Sequence, residues 1–291
     1  MNRPEIHTIS PSQHAAINEG ETRFAFGENW QRFLQALSDE RIAKAEDSLR
    51  EMLGAEGLDG QSFLDIGSGS GLFSLAAMRL GAARVHSFDY DPQSVECAKE
   101  LRRRYFHEST TWLVEQGNAL DKDYLAQLGQ FDVVYSWGVL HHTGDMWQAL
   151  ANVTTSVGEG GKLFIALYND QGLRSRLWRE IKVRYNRSQG WRWLLTAFFT
   201  GYFATRAMVA DVARLRNPMQ RYRQYKQSRG MSYFTDLLDW IGGYPFEVAK
   251  PETVCEFFRT RGFELVRLKA VRRGWGNNEF VFARRAGPRR P

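Results

Sequence analysis

The sharpest chemical signal in the sequence is Phe63-Leu64-Asp65-Ile66-Gly67-Ser68-Gly69-Ser70-Gly71, an apolar stretch that ends in glycines at alternate positions. Glycine tolerates positive φ and lets a backbone approach a ligand closely. The run therefore reads as a buried strand entering a loop that opens a helix. Asp89 closes a second apolar stretch 22 residues beyond Gly67, and a carboxylate there can accept both hydroxyls of a ribose. Together they predict an adenosine-containing ligand. A dinucleotide fingerprint would place its third glycine where Leu72 stands. The spacing is instead GxGxG, and Asp65 suits an amino-acid ammonium better than a pyrophosphate. S-adenosyl-L-methionine is thus favoured over a nicotinamide cofactor.

These residues need a frame. From Gln61 the chain alternates apolar strands (QSFLDIGS, ARVHSFDYD, TTWLVEQGN, FDVVYSW, GKLFIALYND) with helical patterns at roughly 71–80, 92–105, 121–128 and 145–157. Such alternation requires right-handed crossovers and a mainly parallel sheet covered on both faces. Ligands then bind beyond the carboxyl ends of the strands. A leading helix is expected from Phe33, Leu34, Leu37, Ile42, Ala45, Leu49 and Leu53. A later helix, PETVCEFFRTRGF, precedes two strands, ELVRLKAV and NEFVFARR, which are close enough to pair as an antiparallel hairpin. The expected fold is α/β: a Rossmann-like, seven-stranded, doubly wound sheet with an antiparallel last strand, an N-terminal helix and a helical insertion. Residues 1–60 form the extension and helix, 61–170 with 246–286 the core, and 171–245 the insertion.

Read as a set, these motifs resemble the class I S-adenosylmethionine-dependent methyltransferases. Leu64-Asp65-Ile66-Gly67-Ser68-Gly69-Ser70-Gly71 is similar to the family's first motif, and Phe88-Asp89-Tyr90-Asp91-Pro92 to its second. Gly117-Asn118-Ala119 is similar to the adenine-contacting loop, although the family more often has Asp at Asn118. Phe131 through Trp137 to His142 resembles the fourth motif, especially in the small-molecule branch that includes ubiquinone-biosynthesis O-methyltransferases. The resemblance implies in-line methyl transfer from a sulfonium to a nucleophile, with Asp89 on the ribose, Asn118 on the adenine, and Gly67, Ser68, Gly69 and Gly71 around the methionyl portion. Tyr90, Ala119 and Trp137 are the remaining cofactor contacts it implies.

An alcohol acceptor needs a base, whereas a phenol or thiol is partly ionised already. His142 is the first candidate, because imidazole titrates near neutral pH, and His141 is the alternate. One of the pair instead caps the next helix or packs on the cofactor in the plainer reading, and Thr143 or Asp145 supplies that cap in another. Tyr168 is placed to contact the acceptor. Asn169 and Asp170 invite comparison with metal-assisted catechol methyltransferases, but their order is reversed and Ser136-Trp137 fills the other ligand position. The expectation is that no metal is held. Arg23 to Trp30 either folds over the cofactor or plugs the bottom of the sheet.

The charge of +6 is unevenly spread. Residues 171–230 hold 14 Lys and Arg against Glu180 and Asp211 alone, a net +12 on that segment against −6 on the rest. This insertion is also aromatic, and three uses compete: a lid over an anionic acceptor, an amphipathic element on an anionic membrane, or a nucleic-acid surface. A merely solvating cap is the plain alternative. Nucleic acid falls behind because Ser136-Trp137-Gly138-Val139 stands where amino-group methyltransferases carry an Asn-Pro-Pro-Tyr-type tetrapeptide. The expected acceptor is small or lipid-like. RNA methylation by way of the insertion, nicotinamide-dependent dehydrogenation and binding without catalysis remain the rivals.

With 43% hydrophobic and 25% charged residues the composition is that of an ordinary globular protein. Two cysteines, Cys97 and Cys255, cannot build a disulfide framework and suit a reducing cytoplasm. The opening residues lack the apolar run of a secretory signal. No stretch without a charged side chain exceeds 13 residues, the length of Trp193 to Thr205, short of the roughly 20 that span a bilayer.

Overall fold

The computed structural model describes Trp30, Leu34 and residues 37–213, 233–271 and 276–286. The order is α1 (Asp39–Leu53), β1 (Ser62–Ile66), α2 (Leu72–Arg79), β2 (Arg84–Asp89), α3 (Pro92–Phe106), β3 (Trp112–Gln116), α4 (Lys122–Leu128), β4 (Phe131–Trp137), α5 (Met146–Val153) and β5 (Val157–Tyr168). The insertion follows as α6 (Leu173–Arg187), α7 (Gln189–Ala213) and α8 (Tyr233–Gly242). The chain then returns through α9 (Pro251–Arg259), β6 (Phe263–Lys269) and β7 (Asn277–Arg284).

The seven strands lie in the order β3-β2-β1-β4-β5-β7-β6. β7 is antiparallel to both β5 and β6, and the other neighbours pair in parallel. Successive crossovers run outward from β1 to β3 and then restart at β4, so β1 and β4 flank the topological switch point, where α/β sheets bind ligands. Ser136 Oγ ties the two strands there by donating to the Ile66 carbonyl at 3.0 Å.

Side-chain alternation sorts the core into two layers. Phe63, Val85, Val133, Tyr135 and Phe164 pack beneath α1, α2 and α3, while Leu64, Ile66, Val134, Leu163 and Ile165 pack with α4, α5 and α9 residues on the opposite face. Burying a side chain of this size contributes about 1.5–3 kcal/mol. The edge strand β6 is exposed after Phe263 and carries Glu264, Arg267 and Lys269, charges that discourage pairing with another sheet.

Two expected boundaries move. The leading helix does not run unbroken from its first apolar residues: Ser38 is extended, at φ −132° and ψ 158°, and α1 starts after it. The helix expected to reach Val157 stops at Val153 in a 3₁₀ turn, Thr154–Ser156. Thr154 and Thr155 hydroxyls there donate back to the Ala151 and Asn152 carbonyls, a local competition that unwinds helix ends. β5 consequently begins at Val157, four residues earlier than expected.

The insertion has its own small core of Trp178, Tyr185, Phe199, Leu237 and Ile241. Its basic residues from Arg214 to Arg229, most of the Arg23–Trp30 segment and most of the turn between the last two strands lie outside the described residues.

Candidate active site

The glycine loop at the head of β1 is held by its own backbone. Gly67 and Ser68 N–H donate to the Phe88 carbonyl at 2.8 and 3.0 Å, and Gly71 N–H to the Ser68 carbonyl. Gly67, Gly69 and Gly71 have φ of 73°, 53° and 79°, a left-handed region that disfavours other residues. A Cβ on Gly67 would stand 2.3 Å from Val139 Cγ1, one on Gly69 2.9 Å from the Trp30 indole, and one on Gly71 3.0 Å from Ala98. The close approach the glycines permit is therefore partly to the protein itself: Val139 locks the β1 loop to the β4 loop across the switch point. Trp30 lies over the loop at the carboxyl end of the sheet, so it does not plug the bottom.

Asp89 completes this clamp. Its Oδ2 accepts the Gly69 N–H at 2.8 Å and its Oδ1 the Asp91 N–H at 2.9 Å. Each oxygen keeps a second lone pair for a ribose hydroxyl. Burial pushes the Asp89 carboxyl up to about 6. Asp91 accepts from Gln93 N–H at 2.8 Å and, with Pro92 in the first turn, starts α3.

Asp65 departs from expectation. It is 2% exposed, and its Oδ2 accepts the Ser74 hydroxyl at 2.5 Å. Ser74 and Ser87 hydroxyls meet at 2.6 Å, and Trp112 Nε1 donates to Ser87 at 2.9 Å. Burial raises the Asp65 carboxyl to about 7. The direct ammonium contact expected of Asp65 gives way to a buried polar chain that supports the loop from beneath. Ser74, Ser87 and Trp112 went unread in the sequence because their contacts join three separate elements.

At the head of β3, Asn118 Oδ1 accepts the Leu120 N–H at 2.9 Å. That oxygen keeps a second lone pair and the NH₂ remains a donor, so the amide can still both accept from and donate to a base edge. Ala119 is buried and its carbonyl accepts from Asn152, which supports the loop. A Cβ on Gly117 would meet the Tyr124 ring at 2.5 Å. Tyr90 and Trp137, 41% and 43% exposed, stand at the ends of β2 and β4, the two neighbours of β1.

The other half of the site gathers at the heads of β4 and β5. The Tyr168 ring centroid lies 4.0 Å from His141, 5.4 Å from His142 and 5.2 Å from Phe246. His142 Nδ1 is 2.5 Å from the Pro245 carbonyl; a carbonyl only accepts, so Nδ1 bears the proton and Nε2 the lone pair. Burial and then the Lys182 charge bring the His142 imidazolium down to about 3. His141 is 0% exposed, sealed under Tyr168 and His142, and burial holds its pKa well below the ordinary range. Its expected role as alternate base fails on access. Asp145 caps α5 by accepting from Gln148 N–H, and Glu247 accepts from Met146 N–H at 2.9 Å, so neither histidine is the cap.

A strap, Trp240 to Glu247, closes this end. Lys182, 2% exposed, donates to the Trp240 carbonyl and sits 5.0 Å from the Phe246 centroid. Glu247 N–H donates to the His141 carbonyl at 3.0 Å. Nothing in the sequence tied the Gly242-Gly243-Tyr244-Pro245 run to the histidines. Asn169 and Asp170 are spent on structure: Asn278 donates to Asn169 Oδ1 at 3.0 Å, and Asp170 Oδ1 accepts the Gly172 N–H at 2.8 Å. Among the described residues no group of three or more His, Cys, Asp or Glu is arranged to hold a metal ion.

The crevice fits an adenosyl sulfonium. Positive-φ glycines, an Asp89 carboxylate with acceptor capacity left, and a Ser68 hydroxyl shielded from solvent with no partner among the described residues all face such a ligand's needs. The comparisons agree. Residues 64–163 match the family model described as a methyltransferase domain. Over 114 residues the chain is 33% identical to ribosomal protein L11 methyltransferase of Anoxybacillus flavithermus, covering 34% of this chain and 36% of that protein. The chain thus spans about a third of that relative's length. Magnesium protoporphyrin IX methyltransferase from Synechocystis PCC 6803, solved with bound SAH, superposes with a TM-score of 0.51 over 88% of this chain and 94% of its own, at 14% identity. A chain from the complex of the Haloferax volcanii Trm112 methyltransferase activator with a methyltransferase reaches 0.53 over 93% and 100%, also at 14%. At such identity the likeness is one of fold. Residues 64–163 thus match a methyltransferase domain, and the sheet that carries them has the fold of the solved methyltransferases.

Proposed function

We propose that the chain transfers the methyl group of S-adenosylmethionine to an oxygen of a small or lipid-like acceptor. One observation carries the choice of acceptor site: His142, Tyr168 and Phe246 meet at the heads of β4 and β5, beside the glycine loop and beneath the insertion. Asp89 would hold the ribose, Gly67, Ser68, Gly69 and Gly71 the methionyl portion, and the Asn118 amide a ring nitrogen of adenine, with Tyr90 and Trp137 as walls. The bound cofactor supplies an electrophilic methyl on sulfur. The protein's own part is alignment, exclusion of water and proton removal.

His142 Nε2 accepts the acceptor's proton in this reading. An imidazole lowered this far is a weak base, so the reading is confined to acceptors that ionise readily, such as a phenol, enol or carboxylic acid. An unactivated alcohol would need a stronger base. Tyr168 and Phe246 offer flat apolar faces to such a ring. The two free thiols, Cys97 in α3 and Cys255 in α9, fit a reducing cytoplasm.

The test is a radiolabelled-methyl screen across phenols, enols, carboxylic acids, thiols, amines and RNA. Transfer to an oxygen acid, lowered in His142→Ala while cofactor affinity holds, supports the proposal. Labelled RNA, or turnover unchanged in His142→Ala, removes the acceptor class or the base respectively.

A further inference from the structure

The face of α7 turned away from the insertion's core is apolar and uncovered. Leu195, Phe199 and Phe203 pack inward with Trp178 and Trp240. Trp191, Leu194, Phe198, Tyr202 and Val209, at helical spacing, point outward with exposures of 41%, 58%, 62%, 48% and 61%. At 1.5 Å per residue this stripe runs for about 27 Å. Monomeric proteins rarely leave such a continuous apolar surface open unless something covers it.

Charge identifies the partner. Between Glu180 and Asp211 there is no acidic residue, while Lys182, Arg184, Arg187, Arg192 and Arg206 fall in that span. Arg184, Arg187, Arg192 and Arg206 are exposed, and Leu173 and Leu177 of the adjoining α6 are exposed at 79% and 60%. A second copy of this chain meeting the stripe like to like would bring these arginines together and repel. An anionic bilayer complements both features, taking apolar side chains at the headgroup level and arginines on phosphates. Trp and Tyr prefer that interfacial depth. No described helix is long and apolar enough to cross a membrane, so the helix would lie on the surface.

We propose that α7 docks the protein on an anionic phospholipid surface, with the Trp191–Val209 stripe inserted among the headgroups. The proposal does not depend on which acceptor is methylated. Because Phe199 and Phe203 on the inner face contact Trp178 and Trp240, docking would place the lipid surface directly behind the strap.

Flotation of the full chain with phosphatidylcholine vesicles, with and without phosphatidylglycerol, tests this. Recovery with the anionic vesicles at low salt, falling at high salt, is the expected result. Leu194→Ser with Phe198→Ser should weaken the partition about tenfold or more, since two large apolar side chains no longer leave water on docking. Arg187→Glu with Arg206→Glu should abolish the preference for anionic lipid. Far-UV circular dichroism and calorimetric cofactor affinity, both expected unchanged, show that the variants fold. No recovery on anionic vesicles at low salt overturns the proposal. So does a lipid-free dimer by light scattering that Phe198→Ser dissociates, which would assign the face to a second copy.

Discussion

The two ends of the crevice are built from opposite chemistry by one physical cause. At the cofactor end, burial raises the carboxyls of Asp65 and Asp89 to about 7 and about 6. At the acceptor end, burial and Lys182 lower His142 to about 3. Withdrawal from water disfavours the charged form of either kind, so both ends are driven toward neutrality near pH 7. They differ in how they are tied. Asp89 is clamped by the Gly69 and Asp91 N–H groups and Asp65 by the Ser74 hydroxyl, all within 20 positions, whereas His142 is fixed by Pro245, a residue 103 positions along the chain.

The largest expected effect breaks the cofactor end mechanically. Gly67→Ala sets a Cβ 2.3 Å from Val139 at φ 73°, and overpacking with left-handed strain should cost about 3 kcal/mol or more in denaturant unfolding. Adding Val139→Ala should restore only the overpacking share. Full recovery would show that the backbone conformation carries no strain.

Next in size is Asp89→Ala, which removes an acceptor of charge-assisted hydrogen bonds worth about 1.5–3 kcal/mol each. Calorimetry should show affinity for S-adenosylhomocysteine falling by about tenfold to a hundredfold. His142→Ala should leave that affinity within error, and this contrast separates the two ends.

A smaller effect is in pH dependence, and its sign differs between the ends. His142 has its folded pKa below the ordinary 6.5, so its share of stability is present above 6.5 and is lost as pH falls toward 3. Asp65 has its folded pKa above the ordinary 3.8, so its share is present below 3.8 and is lost as pH rises through about 7. Thermal melts across this range should lose their acid-side slope in His142→Gln and their neutral-side slope in Asp65→Asn. An unaltered acid limb in His142→Gln would mean that the imidazole is not shielded. The smallest effect is Ser136→Ala, which removes one neutral hydrogen bond across the switch point at about 1 kcal/mol.

The same contrast decides what could be read from the sequence. The cofactor end was legible because its residues are contiguous or follow strands: glycine at 67, 69 and 71, Asp89 after β2, and Asn118 after β3. Strand and helix periodicity likewise gave the seven-stranded sheet and the antiparallel hairpin. Asp65 misled because spacing reports proximity to the loop but not which way the side chain is buried. The acceptor end was legible only in the residues at the heads of β4 and β5, His141, His142 and Tyr168. Lys182, Pro245, Phe246 and Glu247 reach it by tertiary folding of the insertion, for which no periodicity speaks. The aromatic and basic character of 171–245 was plain, yet which aromatics face inward was not, because α7 is apolar on both sides.

The central claim is that the crevice at the heads of β1, β2 and β4 binds an adenosyl sulfonium through Asp89. Isothermal calorimetry of the wild-type chain with S-adenosylmethionine, S-adenosylhomocysteine and NAD, repeated on Asp89→Ala, addresses it most directly. The account predicts that the first two bind, NAD does not, and Asp89→Ala loses both. Preference for NAD, or binding of the adenosyl ligands undiminished in Asp89→Ala, would contradict it.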